Sequence, residues 1–184
     1  TDIQDSSISA GIRGEVGKWH IDLSNTFGRN EFAYTIKNTG NTSLLFASPD
    51  SFDAGKLRFL QNTINLDFSR PLELFEKANI SFGLEQRHEA YSTVAGEELS
   101  YATYDIHGGV LPLGAPSSQK TTDFFGNALP GGAQVLPGFR KESALTKTRN
   151  VVAGYGEFET DITKWLLANA AVRYEHYSDF GNTF

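Results

Sequence analysis

The strongest constraint on this chain is a two-residue alternation. Between positions 165 and 177, Leu166, Ala168, Ala170, Val172 and Tyr174 fall on one parity, and Asn169, Ala171, Arg173, Glu175 and Tyr177 fall on the other. Successive side chains leave an extended strand on opposite sides, so this pattern builds a strand with one apolar and one polar face. A helix, with its 3.6-residue period, would spread both sets around its circumference. The clean stretch is also about ten residues long, which is what a tilted strand needs to cross a bilayer.

The same reading places strands near 7–17, 19–29, 62–69, 79–91, 150–160 and 165–178. In the first, Ile8, Ala10, Ile12, Gly14 and Val16 oppose Ser9, Gly11, Arg13 and Glu15. A tight Gly17-Lys18 turn leads into the second, where Trp19, Ile21, Leu23, Asn25 and Phe27 oppose His20, Asp22, Ser24, Thr26 and Gly28. The third sets Ile64, Leu66 and Phe68 against Asn65, Asp67 and Ser69, and Arg70-Pro71 closes it because proline cannot donate to the ladder. The fourth carries Ile80, Phe82 and Leu84 opposite Ser81, Gly83, Glu85, Arg87 and Glu89. The fifth is ambiguous: Val152, Gly154, Gly156 and Phe158 compete with Val151, Ala153 and Tyr155 for the apolar face, and a bulge near Tyr155 would reconcile them. Residues 30–61 and 92–148 break the alternation with Gly, Ser, Pro and Asn and read as long loops, the second far beyond the usual limit of about 15 residues.

Connections that run short, long, short, long, short are those of an antiparallel up-and-down barrel with tight turns on one side and extended loops on the other. The two strands that follow the shortest turns open with Lys18-Trp19 and Lys164-Trp165, so Trp19 and Trp165 are candidates for an interfacial aromatic girdle. An internal echo supports the arrangement. Arg87-x-Glu89-x-Tyr91-Ser92 recurs 86 residues on (173 minus 87) as Arg173-x-Glu175-x-Tyr177-Ser178, and Arg13-x-Glu15 is a shorter third copy. Residues i and i+2 of a strand share a face, so Arg13, Glu15, Arg87, Glu89, Arg173 and Glu175 are expected as charge pairs on the lumen side.

Composition removes other classes. With a net charge of -6 and its 16 basic residues scattered, the chain is not expected to bind nucleic acid. No apolar run approaches the roughly 18 residues of a membrane-spanning helix. Mean hydropathy, at -0.33, does not separate a transmembrane barrel from a water-soluble β protein, since barrel strands are only half apolar. The absence of cysteine excludes disulfides and thiolate metal sites. With neither an initiating Met nor a signal peptide, Thr1 is expected to be a cut within a longer chain.

Three segments carry a family resemblance. The run from Trp19 to Asn30 resembles a barrel hairpin of the TonB-dependent outer-membrane receptors, as does Gly132 to Phe139 ahead of a strand. Ala171-Val172-Arg173-Tyr174-Glu175-His176-Tyr177-Ser178-Asp179-Phe180-Gly181 is similar to a strand-end signature of that family. The resemblance implies the middle of a barrel of about 22 strands, plugged by a separate N-terminal domain. It also implies a bacterial outer-membrane location and uptake of a nutrient such as a siderophore or oligosaccharide, driven by the TonB complex. Plug and TonB-grasped segment lie outside the 184 residues, which would form one part of the barrel domain, surrounded by outer-membrane lipid.

Catalysis finds little footing. No nucleophile elbow, Walker loop or His-Glu-x-x-His pattern occurs, and Gly154-x-Gly156 lacks a third glycine. Glu85, Glu89 and Glu175 are expected to pair with arginines rather than act as a glycosidase pair. His20, His88, His107 and His176 share no metal-ligand spacing, and Asp50 and Asp53 lack the remaining oxygen ligands of a calcium loop, so no metal or cofactor is expected. The second reading is a soluble carbohydrate-binding or lectin-like sandwich, which would bury Leu23, Phe27, Leu66, Phe82, Leu84 and Val172 between two sheets. The loop aromatics Phe32, Tyr34, Phe46, Phe52, Tyr101, Tyr104, Phe124 and Phe125 are expected to pack the loops together ahead of stacking on a ligand. Segment 92–148 is expected to serve ligand capture and to contribute little to the wall.

Overall fold

The computed structural model describes residues 1–74 and 76–184. The chain is all-β: β1 (Asp2–Val16), β2 (Trp19–Lys37), β3 (Ser51–Leu72), β4 (Lys77–Val94), the short β5 (Thr103–Tyr104) and β6 (Val110–Leu111), then β7 (Leu145–Thr163), β8 (Leu166–Tyr177) and β9 (Gly181–Thr183). Seven of these form one antiparallel sheet in the order β1-β2-β3-β4-β7-β8-β9, so every long strand pairs with its neighbour in sequence. β5 and β6 form a separate small hairpin. This is an up-and-down meander.

Several strands are longer than their apolar alternation. β1 begins at Asp2, β2 continues to Lys37, β3 starts at Ser51 and β7 at Leu145. The expected loop 30–61 therefore shrinks to residues 38–50, which hold a 3-10 segment at Thr42–Ala47. The expected loop 92–148 reduces to 95–144 and is structured inside, with 3-10 turns at Glu98–Ser100, Ser117–Gln119 and Lys141–Ser143 beside the small hairpin. Ladder hydrogen bonds join backbone groups whatever the side chains, so strands run on where the hydrophobic period stops. The bulge expected near Tyr155 is absent. β7 and β8 stay in one register from Val151↔Tyr177 to Asp161↔Leu167, and the shift falls between Asp161 and Thr163. Both parities of β7 simply carry apolar residues: Val151 and Ala153 are buried on one face while Val152 stands exposed on the other.

The chain divides into two compact units. The sheet unit comprises 6–29, 60–90 and 148–184, and the loop unit comprises 1–5, 30–59 and 91–147. In the sheet unit, Leu23, Phe27, Phe82, Leu84 and Val172 are 41–69% exposed, and Leu66 is half-buried. They lie on one face and remain exposed, whereas a sandwich arrangement would bury them. What packing this face has is lateral. The rings of Phe68 and Phe82 stack at 5.1 Å, and Trp19 meets Phe82 edge-on at 5.3 Å.

The loop unit is organised around a buried amide. Asn41, with 0% exposure, donates from Nδ2 to the carbonyls of Leu99 and Ala102, both at 2.9 Å, and accepts at Oδ1 from the Ser43 hydroxyl at 2.7 Å. The Ser43 hydroxyl in turn accepts the Tyr104 amide at 3.1 Å, and buried Thr121 donates to the Ser43 carbonyl at 2.9 Å. Ser100 gathers the next layer, its carbonyl accepting the amides of Ala133 and Gly138 at 2.9 Å. Segment 95–144 is thus tied to 38–50 by buried polar groups, each of which would cost free energy if left unpaired. Asn41→Ala is expected to destabilise the loop unit by roughly 2–4 kcal/mol, because two carbonyls and a hydroxyl lose their partner at once. Hydrogen exchange that rises across 97–104 and 121–134 while β8 stays protected would bear this out, and unchanged exchange would refute it.

Candidate functional site

The polar face of the sheet unit carries a continuous ion-pair network over three strands. Odd-numbered residues of β4, β7 and β8 share this face, as the register of Ala153 with Glu175 and of Tyr155 with Arg173 shows. Arg87 lies 3.3 Å from Glu85 and 3.0 Å from Glu89 on its own strand. Glu89 also pairs with Arg149 of β7, and Glu85 with Arg173 of β8 at 3.0 Å. Arg173 closes on Glu175 at 2.7 Å, and the Tyr177 hydroxyl donates to the same carboxylate. Three guanidinium and three carboxylate groups therefore alternate and cancel. Aromatic faces complete the packing, with Arg173 5.3 Å from the Tyr155 ring and Arg149 5.3 Å from that of Tyr177.

The expected pairs are placed unequally. Arg87 with Glu89 and Arg173 with Glu175 are brought together in this network. The two copies meet through Glu85, which bonds both arginines. Arg13 and Glu15 do not join it: Glu15 pairs with exposed His20 at 3.2 Å, and Arg13 lines a polar recess with Asp22, Asp67 and Ser69. Arg149 escaped the sequence reading because it sits at the junction of an expected loop and strand, yet its parity continues that of Val151, Ala153 and Tyr155. Trp19 and Trp165 make no shared contact. Trp19 packs on Phe82 and under Arg70, whose guanidinium lies 5.7 Å above its ring, whereas Trp165 is exposed at the β7–β8 turn.

A second feature of this face is a glycine that sequence reasoning passed over. The Tyr155 hydroxyl reaches across β4 to donate to Asp67 of β3, and the ring crosses directly over Gly83. A Cβ at position 83 would stand 2.5 Å from Tyr155 Cζ and 2.6 Å from Asp67 Oδ1, so only glycine leaves room. Gly83→Ala is expected to cost about 1–2 kcal/mol by expelling the ring, and Tyr155→Phe about as much by removing the hydroxyl. Since both lose the same bond, their combined effect in a double-mutant cycle falls well short of the sum. Simple additivity in denaturant titrations would count against the arrangement.

Glu85 and Glu89 are each ion-paired on both flanks. The histidines do not converge: His20 faces Glu15, and His88 and His176 bond Asn150 and Asn182. Among the described residues no cluster of His, Asp or Glu forms a metal site.

The loop aromatics sort into two sets. Phe52 and Tyr104 are buried, Phe32 packs on Tyr34 at 4.9 Å, Tyr34 meets Phe139 at 5.7 Å, and Arg140 caps Tyr101 at 5.6 Å. Phe46, Phe124 and Phe125 are almost wholly exposed. The last two sit on a turn that has a twin. Asp123 accepts the amides of Phe125 and Asn127 at 2.8 Å, and Asp105 accepts those of His107 and Gly109 at 2.8 Å. Gly126 and Gly108 take the positive φ, 84° and 80°, that each turn requires. The Gly109 and His107 amides hold the Asp105 carboxyl below its ordinary value, and the side chain and amide of Asn127 do so for Asp123. A depressed carboxyl stabilises its turn above the ordinary value of 3.8 and loses that contribution as pH falls through its lowered pKa. The Gly109 and Asn127 amide resonances are therefore expected to shift with pH about midpoints below pH 3.8. Movement centred at or above that pH would refute the assignment.

Fold and site together define an all-β protein built on one antiparallel meander, with a self-neutralised polar face and an uncovered apolar one. No protein-family model, curated protein or solved structure matches the chain.

Proposed function

We propose that this chain is part of the barrel wall of a TonB-dependent receptor in a bacterial outer membrane, a transporter that takes up a nutrient such as a siderophore or oligosaccharide. The observation that carries the reading is the unlike pair of faces on a single meander. Apolar side chains on one face stand exposed, and lipid is a medium that would cover them. On the other, long charged side chains are paired among themselves, as a wet lumen wall requires. Backbone groups inside the sheet are paired strand to strand, which a bilayer tolerates when further strands of the receptor close the sheet into a barrel.

The family assignment rests on the resemblance of the hairpin at Trp19 and the strand end at Ala171 to Gly181. Under it the remaining strands, the plug and the TonB contact belong to the rest of the receptor. The loop unit, with Phe46, Phe124 and Phe125 exposed, would meet the nutrient. The wall itself does no chemistry; it holds the loops and encloses the path.

Nitroxide labels placed singly along 165–177 of the receptor in liposomes test the reading. Positions 166, 168, 170 and 172 are expected to be accessible to oxygen dissolved in lipid, and positions 169, 173 and 175 to a water-soluble nickel chelate. A period of 3.6 residues, or access of the chelate to both parities, would sink the barrel.

A further inference from the structure

The longest connection of the loop unit contains a duplication. The pattern Thr-x-Asp-x-x-Gly-x-x-Leu-Pro-x-Gly-Ala starts at Thr103 and again at Thr121, 18 residues on (121 minus 103). The backbone repeats with it. Tyr104 pairs with Val110, and at the equivalent positions Thr122 pairs with Ala128. Asp105 donates its amide to the Gly109 carbonyl and Asp123 its amide to that of Asn127, both at 2.9 Å. Gly114 and Gly132 share a positive φ, 84° and 81°, as Gly108 and Gly126 do, and Ala115 and Ala133 after them are buried. Most repeated positions therefore serve the frame: a carboxylate that accepts the turn amides, glycines that adopt positive φ, an alanine that packs inside.

What differs is the tip. Between the Asp and the Gly the first hairpin presents Ile106 and His107, the second Phe124 and Phe125, and all four are exposed. The two Phe rings meet edge to face, with centroids 5.5 Å apart at 85°, which leaves flat ring surface open. The hairpins are joined at their bases. Thr121 shares its hydroxyl proton between the carbonyls of Ser43, at 2.9 Å, and Tyr104, at 3.2 Å, and its amide reaches the Tyr104 carbonyl at 3.5 Å. Both tips are thus held in place before any ligand arrives, which lowers the ordering cost of binding. Charge narrows the occupant. Residues 103–133 hold one lysine, Lys120, against Asp105 and Asp123, a formal charge of -1 (1 minus 2) with His107 neutral. Both carboxylates are turned onto backbone amides. An anionic iron chelate finds no cluster of cations here, whereas a neutral ligand needs none.

We propose that the two tips form a paired subsite for a neutral oligosaccharide, each tip taking one sugar ring. The face of a pyranose is a patch of weakly positive C–H bonds, which the negative face of an aromatic ring attracts. A chain of like units offers successive rings to successive tips. The inference rests on the transporter reading, in which the loop unit meets the nutrient, and deepens it by choosing between the two nutrient classes.

Titration calorimetry of the full-length receptor in detergent tests it, with neutral glucan, mannan, galactan and xylan oligosaccharides of graded length as probes. At least one series is expected to bind, and its longer members more tightly than its shortest. Phe124→Ala with Phe125→Ala and, separately, Ile106→Ala with His107→Ala should each weaken the long members roughly tenfold and leave the fold intact, because the side chains removed are exposed. Phe124→Tyr with Phe125→Tyr keeps the flat rings and should bind like wild type, whereas Phe124→Leu with Phe125→Leu should behave like the alanine variant. Binding of none of the probes by folded receptor, equal affinity for short and long ones, or full affinity in the leucine variant or in either alanine variant would overturn the proposal. A receptor that binds none of them yet takes up an anionic iron chelate would sink this subsite and leave the transporter reading standing. One that binds them at both tips but stays soluble without detergent would do the reverse.

Discussion

A sheet of one layer has no interior, and that constraint governs this protein. A sandwich hides one face of each sheet against the other; here each face must come to terms with whatever lies beside it. The two-residue side-chain period lets it do so, because it sorts every strand into two independent sets of residues. One set, from Trp19 through Phe82 to Val172, is apolar and packs sideways, ring against ring at Trp19, Phe68 and Phe82. The other must carry polar groups without leaving a net field. A slip of one residue in any strand would exchange the sets, so register is the quantity the sequence has to protect.

The polar face protects it in two ways. Its six charges alternate in sign across β4, β7 and β8, and moving one strand would set like charges opposite each other. A single exposed pair contributes about 0–1 kcal/mol, but in a network each guanidinium is already ordered by one partner when it meets the next. Tyr155 adds a steric check, since its ring fits across β4 only where Gly83 lies. Charge and shape thus specify the same register independently.

What the sequence disclosed follows from the same period. The sheet core of each long strand, the tight turns at Gly17 and Lys164, and the pairs Arg87–Glu89 and Arg173–Glu175 were legible because alternation and i, i+2 spacing are local properties. The far portions of β2 and β3 were not, since Arg29, Glu31 and Thr35 in β2 and Lys56 and Arg58 in β3 interrupt the apolar parity while the backbone ladder continues. Glu31, Lys56 and Arg58 were lost with them, hidden inside what read as a loop. Arg149 was missed by a boundary, and the Tyr155–Asp67 bond by distance: 88 residues separate them, and only the pairing of β3, β4 and β7 brings them together.

The loop unit was the least legible part because nothing periodic builds it. Its core mixes polar with apolar groups: Asn41, Ser43, Ser100 and Thr121 are among its most buried side chains, as are Phe52 and Ala133. A Gly- and Pro-rich connection of this length would ordinarily pay its ordering entropy each time it met a ligand. Here backbone carbonyls and amides from 97–104 and 121–138 are pinned to that polar core beforehand. Buried hydrogen bonds, unlike apolar contacts, are directional, so they fix the path of the chain as well as its compactness. Phe52 and Tyr104 are buried as well, and with the path held by hydrogen bonds Phe46, Phe124 and Phe125 stand in the open while Asn41 lies inside. Polar and apolar groups therefore share the interior of this unit, and the hydrogen bonds settle which path the chain takes through it.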